Sequence, residues 1–177
     1  MNVFISGGCK NGKSYYAQRL TKEMSESENK PLYYIATMKP VDEEDRARIK
    51  RHIEEREGWG FITIEQPCNI LEILNGEYCQ GAFLLDSVTA LLSNEMFRQD
   101  GTIDFDAPKR LAKELTEFAK ATGNTVFVSD FIYADGKNYD NLTEEYRKGL
   151  AYIDKILAAH CDKVYEVTYS SIINYHK

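Results

Sequence analysis

Six short apolar runs recur along the chain, and the segments between them follow a helical period. The runs are Val3-Phe4-Ile5, Leu32-Tyr33-Tyr34-Ile35-Ala36-Thr37, Phe61-Ile62-Thr63-Ile64, Ala82-Phe83-Leu84-Leu85, Thr125-Val126-Phe127-Val128 and Lys163-Val164-Tyr165-Glu166-Val167. Their length and their β-branched and aromatic content predict strands. The segments at about 13–27, 42–57, 87–97, 106–121 and 143–160 predict helices. The last of these carries Tyr146, Leu150, Ile153 and Leu157 at helical spacing. Strands that are continuously apolar, and separated by helices, belong to a parallel sheet covered on both faces. No linker, repeat or low-complexity stretch interrupts the pattern, so one α/β domain over residues 1–177 is expected.

Composition narrows the picture only modestly. The 43% apolar and 28% charged content is that of an ordinary globular protein. No apolar run reaches 18 residues and Met1–Ser6 leads straight into a glycine-rich turn, so neither a membrane span nor a signal peptide is expected, and the setting is read as cytoplasmic. A net charge of −6 argues against a nucleic-acid partner. Cys9, Cys68, Cys79 and Cys161 form no C-x-x-C pair, which leaves reduced thiols as the expectation.

The chemistry begins where the first strand ends. Gly7-Gly8-Cys9-Lys10-Asn11-Gly12-Lys13-Ser14 satisfies G-x-x-x-x-G-K-[ST], between a predicted strand and a predicted helix. Glycines let the backbone amides turn inward around an anion, and the helix N-terminus adds its positive end. Lys13 is expected to reach the β- and γ-phosphates of ATP or GTP, and Ser14 to ligate Mg²⁺. The fourth strand ends in Asp86, which suits the metal or its water shell, although Asp86 or Ser87 is equally placed to cap the next helix.

A second constellation lies in the second helix. Arg48, His52 and Arg56 fall at i, i+4 and i+8, on one face. Flanking cations disfavour the protonated imidazole and leave it able to act as a nucleophile beside guanidiniums that grip phosphate. Glu54, Glu55 and Glu57 offer a different reading, a solvated face of surface ion pairs, and spacing alone favours that one. Gly58 beside Trp59, the single tryptophan, predicts a helix stop and an aromatic anchor. His160, at a helix end, and His176 are read as structural.

These residues together resemble the adenosylcobinamide kinase / adenosylcobinamide-phosphate guanylyltransferase family of cobalamin biosynthesis. The resemblance rests on Ser6–Ser14, Tyr34-Ile35-Ala36-Thr37, Arg48-Ile49-Lys50-Arg51-His52 with Arg56 and Trp59, Glu65, Leu84-Leu85-Asp86-Ser87-Val88-Thr89 and Asn94. It implies a RecA-like P-loop fold and two reactions. One is phosphorylation of the aminopropanol hydroxyl of a corrinoid, and the other is GMP transfer from GTP through a GMP–histidine intermediate. His52 matches that histidine, which reverses the preference from spacing. Ala36, Thr37, Met38, Ile53, Glu54, Glu55, Arg56, Glu65 and Asp86 match positions that contact the guanine nucleotide, with Asp86 standing where the family usually has Glu. The resemblance also implies a trimer.

The C-terminal half departs from the pattern. The family's Asn-Glu after the fifth strand is here Ser129-Asp130, and a family Gly and Asn-Gln pair correspond to Ala151 and Asp154-Lys155. Two alternatives therefore stand beside the bifunctional enzyme: a small-molecule kinase without guanylylation, and a GTP-binding regulatory protein that has lost its corrinoid site.

Overall fold

The computed structural model describes residues 1–76, 80–169 and 171–175; Cys79, His176 and the side chain of Arg48 lie outside the described residues. Strands β1 (Val3–Ser6), β2 (Leu32–Ala36), β3 (Ile62–Glu65), β4 (Ala82–Asp86), β5 (Thr125–Val128), β6 (Lys163–Thr168) and β7 (Ser171–Tyr175) form one sheet in the order β3-β2-β4-β5-β1-β6-β7. All neighbours are parallel except the antiparallel β6–β7 pair. The helices are α1 (Lys13–Glu28), α2 (Glu43–Glu55), α3 (Val88–Met96), α4 (Ala107–Thr122) and α5 (Asn141–His160).

Local chemistry sets the helix ends. Asp42 caps α2 by accepting from Asp45 N at 2.8 Å, and three acidic residues in the first turn complement the dipole. Asp140 caps α5 through Leu142 N and Thr143 N. α4 opens with Pro108 and closes on Gly123 in the left-handed region, the asymmetry expected of helix termini.

Alternation along the strands divides the core in two. Phe4, Tyr33, Ile35, Phe83, Leu85 and Phe127 face α3, α4 and α5, while Val3, Ile5, Tyr34, Leu84, Val126 and Val128 face α1. Phe83 stacks on Tyr33 at 5.0 Å and meets Phe118 of α4 edge-on at 5.5 Å, so one aromatic group joins two strands to a helix. α2 contributes to neither cluster, and none of its described side chains is buried.

Two elements go beyond the sequence expectation. Ile70–Asn75 forms a 3₁₀ turn that buries Ile70 and Ile73. Ser171–Tyr175 extends the sheet as an edge strand exposed throughout.

Candidate functional site

The carboxyl ends of the parallel strands lie in register. Ala36 pairs with both Glu65 and Asp86, Asp86 with Val128, and Val128 with Ile5, one residue before the Ser6 that ends β1. The loop Gly7–Ser14 leaves this edge. Gly7 has φ 151°, and a Cβ there would stand 2.2 Å from Val167 O, so a side chain is excluded by contact as well as conformation. Asn11 Nδ2 donates to the same carbonyl and ties the loop to β6. Lys10 and Gly12 also take positive φ, which turns the loop into α1. Lys13 is buried, with Nζ donating to Gly8 O at 2.7 Å and paired with Asp130 Oδ1 at 2.9 Å. Cys9 is exposed.

Asp86 and Ser87 divide the roles that the sequence left open. Ser87 caps α3, its Oγ accepting from Ala90 N at 3.2 Å, which leaves Asp86 free of capping. Tyr34 OH donates to Asp86 Oδ2 at 3.2 Å. Thr37 is fully buried and bridges the strand ends: its Oγ1 donates to Ser87 O at 2.8 Å and accepts from Ser87 N at 2.7 Å. Asn94 donates to Thr37 O and Pro67 O. Thr37→Val leaves the Ser87 amide without its acceptor, while Ser87 O keeps Leu91 N at 3.1 Å, and is expected to cost about 1 kcal/mol, read as a lowered urea midpoint at unchanged slope.

The basic helix is arranged differently from its sequence spacing. Arg56 does not flank His52 on an open face. It caps the C-terminus of α2, buried, with its guanidinium 3.5 Å from the Tyr34 ring centroid. Burial under an aromatic ring outweighs helical periodicity once the helix ends at Glu55. Trp59 follows the Gly58 turn, meets Tyr15 edge-on at 5.7 Å and takes Lys22 over its ring at 5.6 Å. The last turn of α2 is thereby anchored to α1 and β2. His52 is about a quarter exposed there, with Nδ1 3.3 Å from Glu55 Oε2. Ile53, Glu54 and Glu55 are exposed, as is Glu65; Ala36 and Met38 are half-buried.

Behind the loop sits a group that the motifs did not reveal. Asp154 of α5 is buried and accepts from Ser129 Oγ at 3.0 Å and Tyr133 OH at 3.2 Å. Burial pushes its carboxyl up to about 7, against the pull of the two hydroxyls and with a further push from the charge of Asp130. Unfolded, the group titrates near 3.8. Between those two values the folded chain holds a proton that the unfolded chain has released, so this group's contribution to stability falls as pH rises through the window. Asp154→Asn keeps an acceptor for both hydroxyls and removes the titration. It is expected to stabilise the protein by about 2 kcal/mol more at pH 8 than at pH 5. Urea midpoints at the two pH values check this, and an equal shift at both would exclude Asp154 as the source.

Strand, glycine-rich loop, helix-borne lysine and a strand-end aspartate define a P-loop nucleoside-triphosphate-binding domain of RecA-like type. The ATPase domain of G40P is similar in fold, with a TM-score of 0.52 at 10% identity, covering 93% of this chain and 68% of that one. The chain belongs to the cobinamide kinase / cobinamide phosphate guanyltransferase family, whose description matches residues 3–172. It is 32% identical over 108 residues to the bifunctional adenosylcobalamin biosynthesis protein CobU of Escherichia coli K12, a match spanning 60% of this chain and 56% of that protein. It is 28% identical over 169 residues to the bifunctional adenosylcobalamin biosynthesis protein CobP of Pseudomonas aeruginosa PAO1, covering 93% and 91%. No described helix is long and apolar enough to cross a membrane.

Proposed function

We propose that this protein phosphorylates the hydroxyl of a cobinamide and then transfers GMP from GTP to the resulting phosphate, with His52 as the covalent carrier. The observation that carries the second step is the seating of His52. The turn that bears it is locked to the nucleotide edge of the sheet by Arg56 on Tyr34 and by Tyr34 on Asp86. Glu55 Oε2 stands 3.3 Å from Nδ1 without hydrogen-bond geometry; in the tautomer protonated at Nδ1, Nε2 is the nucleophilic nitrogen.

In this reading Gly7, Gly8, Cys9, Lys10, Asn11 and Gly12 surround the phosphates with backbone amides while Lys13 neutralises their charge. Ala36, Thr37, Met38, Glu65 and residues 53–56 flank the base and ribose. Thr37 takes part through its backbone, since its hydroxyl is engaged with Ser87. Ser14 and Asp86 are hard oxygen donors of the kind Mg²⁺ accepts beside phosphates and water. Bound there, the ion would offset charge developing on the transferred group.

For guanylyl transfer, Nε2 attacks the α-phosphorus of GTP. A P–N bond forms, the bond to the β-phosphate oxygen breaks, and pyrophosphate leaves. An oxygen of the cobinamide phosphate then attacks the same phosphorus, a P–O bond forms and the imidazole departs. Two in-line displacements retain configuration at phosphorus. The test is the intact mass of the protein after incubation with GTP and Mg²⁺. An acid-labile gain of one GMP supports the reading; GTP binding with no adduct sinks the covalent route.

A further inference from the structure

Asp130, which the sequence marked only as a departure from the family's Asn-Glu pair, stands against the phosphate lysine. Lys13 Nζ lies 2.9 Å from its Oδ1, with the two side chains 6% and 19% exposed. Three successive amides fasten the turn that carries it: Ser129 N donates to Ile5 O at 3.0 Å, Asp130 N to Thr89 Oγ1 at 2.9 Å and Phe131 N to Gly7 O at 3.0 Å. Ser129 is held further by Asp154. The backbone that carries the carboxylate is therefore fixed to β1, to α3 and to the phosphate loop itself, and the carboxylate is held by Lys13. Lys13 needs a counter-ion while buried, but a buried lysine could be served by carbonyls on a looser turn, as Gly8 O already does. Rigid placement of an anion where phosphates must arrive works against nucleotide binding unless that anion has a task in the reaction.

We propose that Asp130 is the general base for phosphoryl transfer to the acceptor hydroxyl. This rests on the kinase half of the reading above. Incoming phosphates take Lys13 from Asp130 and leave an ionised carboxylate beside the γ-phosphate, where neighbouring negative charge strengthens it as a proton acceptor. The acceptor O–H gives its proton to Asp130, and its oxygen attacks the γ-phosphorus. The new P–O bond forms as the bond to the β–γ bridging oxygen breaks, and the nucleoside diphosphate leaves with that electron pair. Asp130 later releases the proton to water. The chain that follows Asp130 in sequence, from Tyr133 to Tyr139, lines an open cavity of about 590 Å³ together with Glu144 and Arg147 of α5.

The experiment uses the full chain with ATP or GTP, Mg²⁺ and adenosylcobinamide. It measures nucleotide affinity and single-turnover phosphoryl transfer for wild type, Asp130→Asn and Asp130→Glu. Asp130→Asn is expected to bind nucleotide as tightly as wild type or tighter, because the carboxylate no longer competes for Lys13, while transfer falls about 100-fold or more. Asp130→Glu is expected to recover at least about tenfold over the Asn variant. Retained nucleotide binding also shows that the variants are folded. Transfer within threefold of wild type in Asp130→Asn overturns the assignment. So does a loss of nucleotide affinity that accounts for the lost rate, which would make Asp130 a brace for the loop. A wild-type protein that binds nucleotide yet phosphorylates no cobinamide overturns the kinase reading itself, an outcome distinct from an active wild type matched by an active Asn variant.

Discussion

His52→Ala is expected to abolish guanylyl transfer, by at least about 1000-fold, while leaving cobinamide phosphorylation within about threefold of wild type. The asymmetry follows from where His52 sits. It belongs to the last turn of a helix that adds nothing to either core cluster, so its loss removes little packing. Stability should change by no more than about 0.5 kcal/mol, as at other surface positions. A half-exposed helix face of this kind is built for solvent, and its ion pairs, Arg46 with Glu43 and Lys50 with Glu54, fit that description. What sets His52 apart is the anchoring just beyond it, where Arg56 and Trp59 fix the turn against β2 and α1. A side chain needed only for solvation would not require that anchoring. Rapid-quench transfer with radiolabelled GTP, run beside a kinase assay on the same preparation, decides the matter. Guanylyl transfer that survives in the variant would remove the histidine from the mechanism and leave the helix as a solvated surface.

Much of this arrangement is legible in the residues. Buried parallel strands such as Ala82-Phe83-Leu84-Leu85 must be apolar on both faces, and that signal survives in a single sequence. The Gly7–Ser14 loop is equally plain, because its spacing is imposed by backbone geometry within eight residues. β7 escaped notice because a strand exposed on both sides needs neither alternation nor a continuous apolar run. Ile70–Asn75 is too short for a helical period, with Ile70 and Ile73 its two buried residues. The altered role of Arg56 had no local sign at all: its ring partner, Tyr34, lies on the preceding strand. Lys13 and Asp130 meet only because β5 lies beside β1 in the sheet, an adjacency that chain order conceals. The buried carboxyl of Asp154 is similarly invisible, since the helical period marks the face that carries it without saying which hydroxyls it will meet.

Lys13→Met should impair both reactions, and that breadth is what distinguishes it from His52→Ala. Lys13 is almost fully buried and holds two oxygens, Gly8 O at 2.7 Å and Asp130 Oδ1 at 2.9 Å. Methionine preserves the buried stem and removes only the charge. Loss of a cation aimed at transferring phosphate in a poorly hydrated site costs about 3 kcal/mol or more of transition-state stabilisation, roughly 100-fold or more in kcat/KM. Stability should respond far less, because Asp130 remains about a fifth exposed and water can reach it. Pairing Lys13→Met with Asp130→Asn removes that stranded charge, so any stability lost in the single variant should return in the double one. The kinetic comparison carries the structural consequence. If one loop serves both triphosphates in turn, the lysine variant loses phosphorylation and GMP transfer together. Loss of phosphorylation alone would mean that GTP, when it guanylylates His52, lies toward α2 with its phosphates out of reach of Lys13, and the protein would then need two nucleotide positions along the edge formed by β1, β4 and β2.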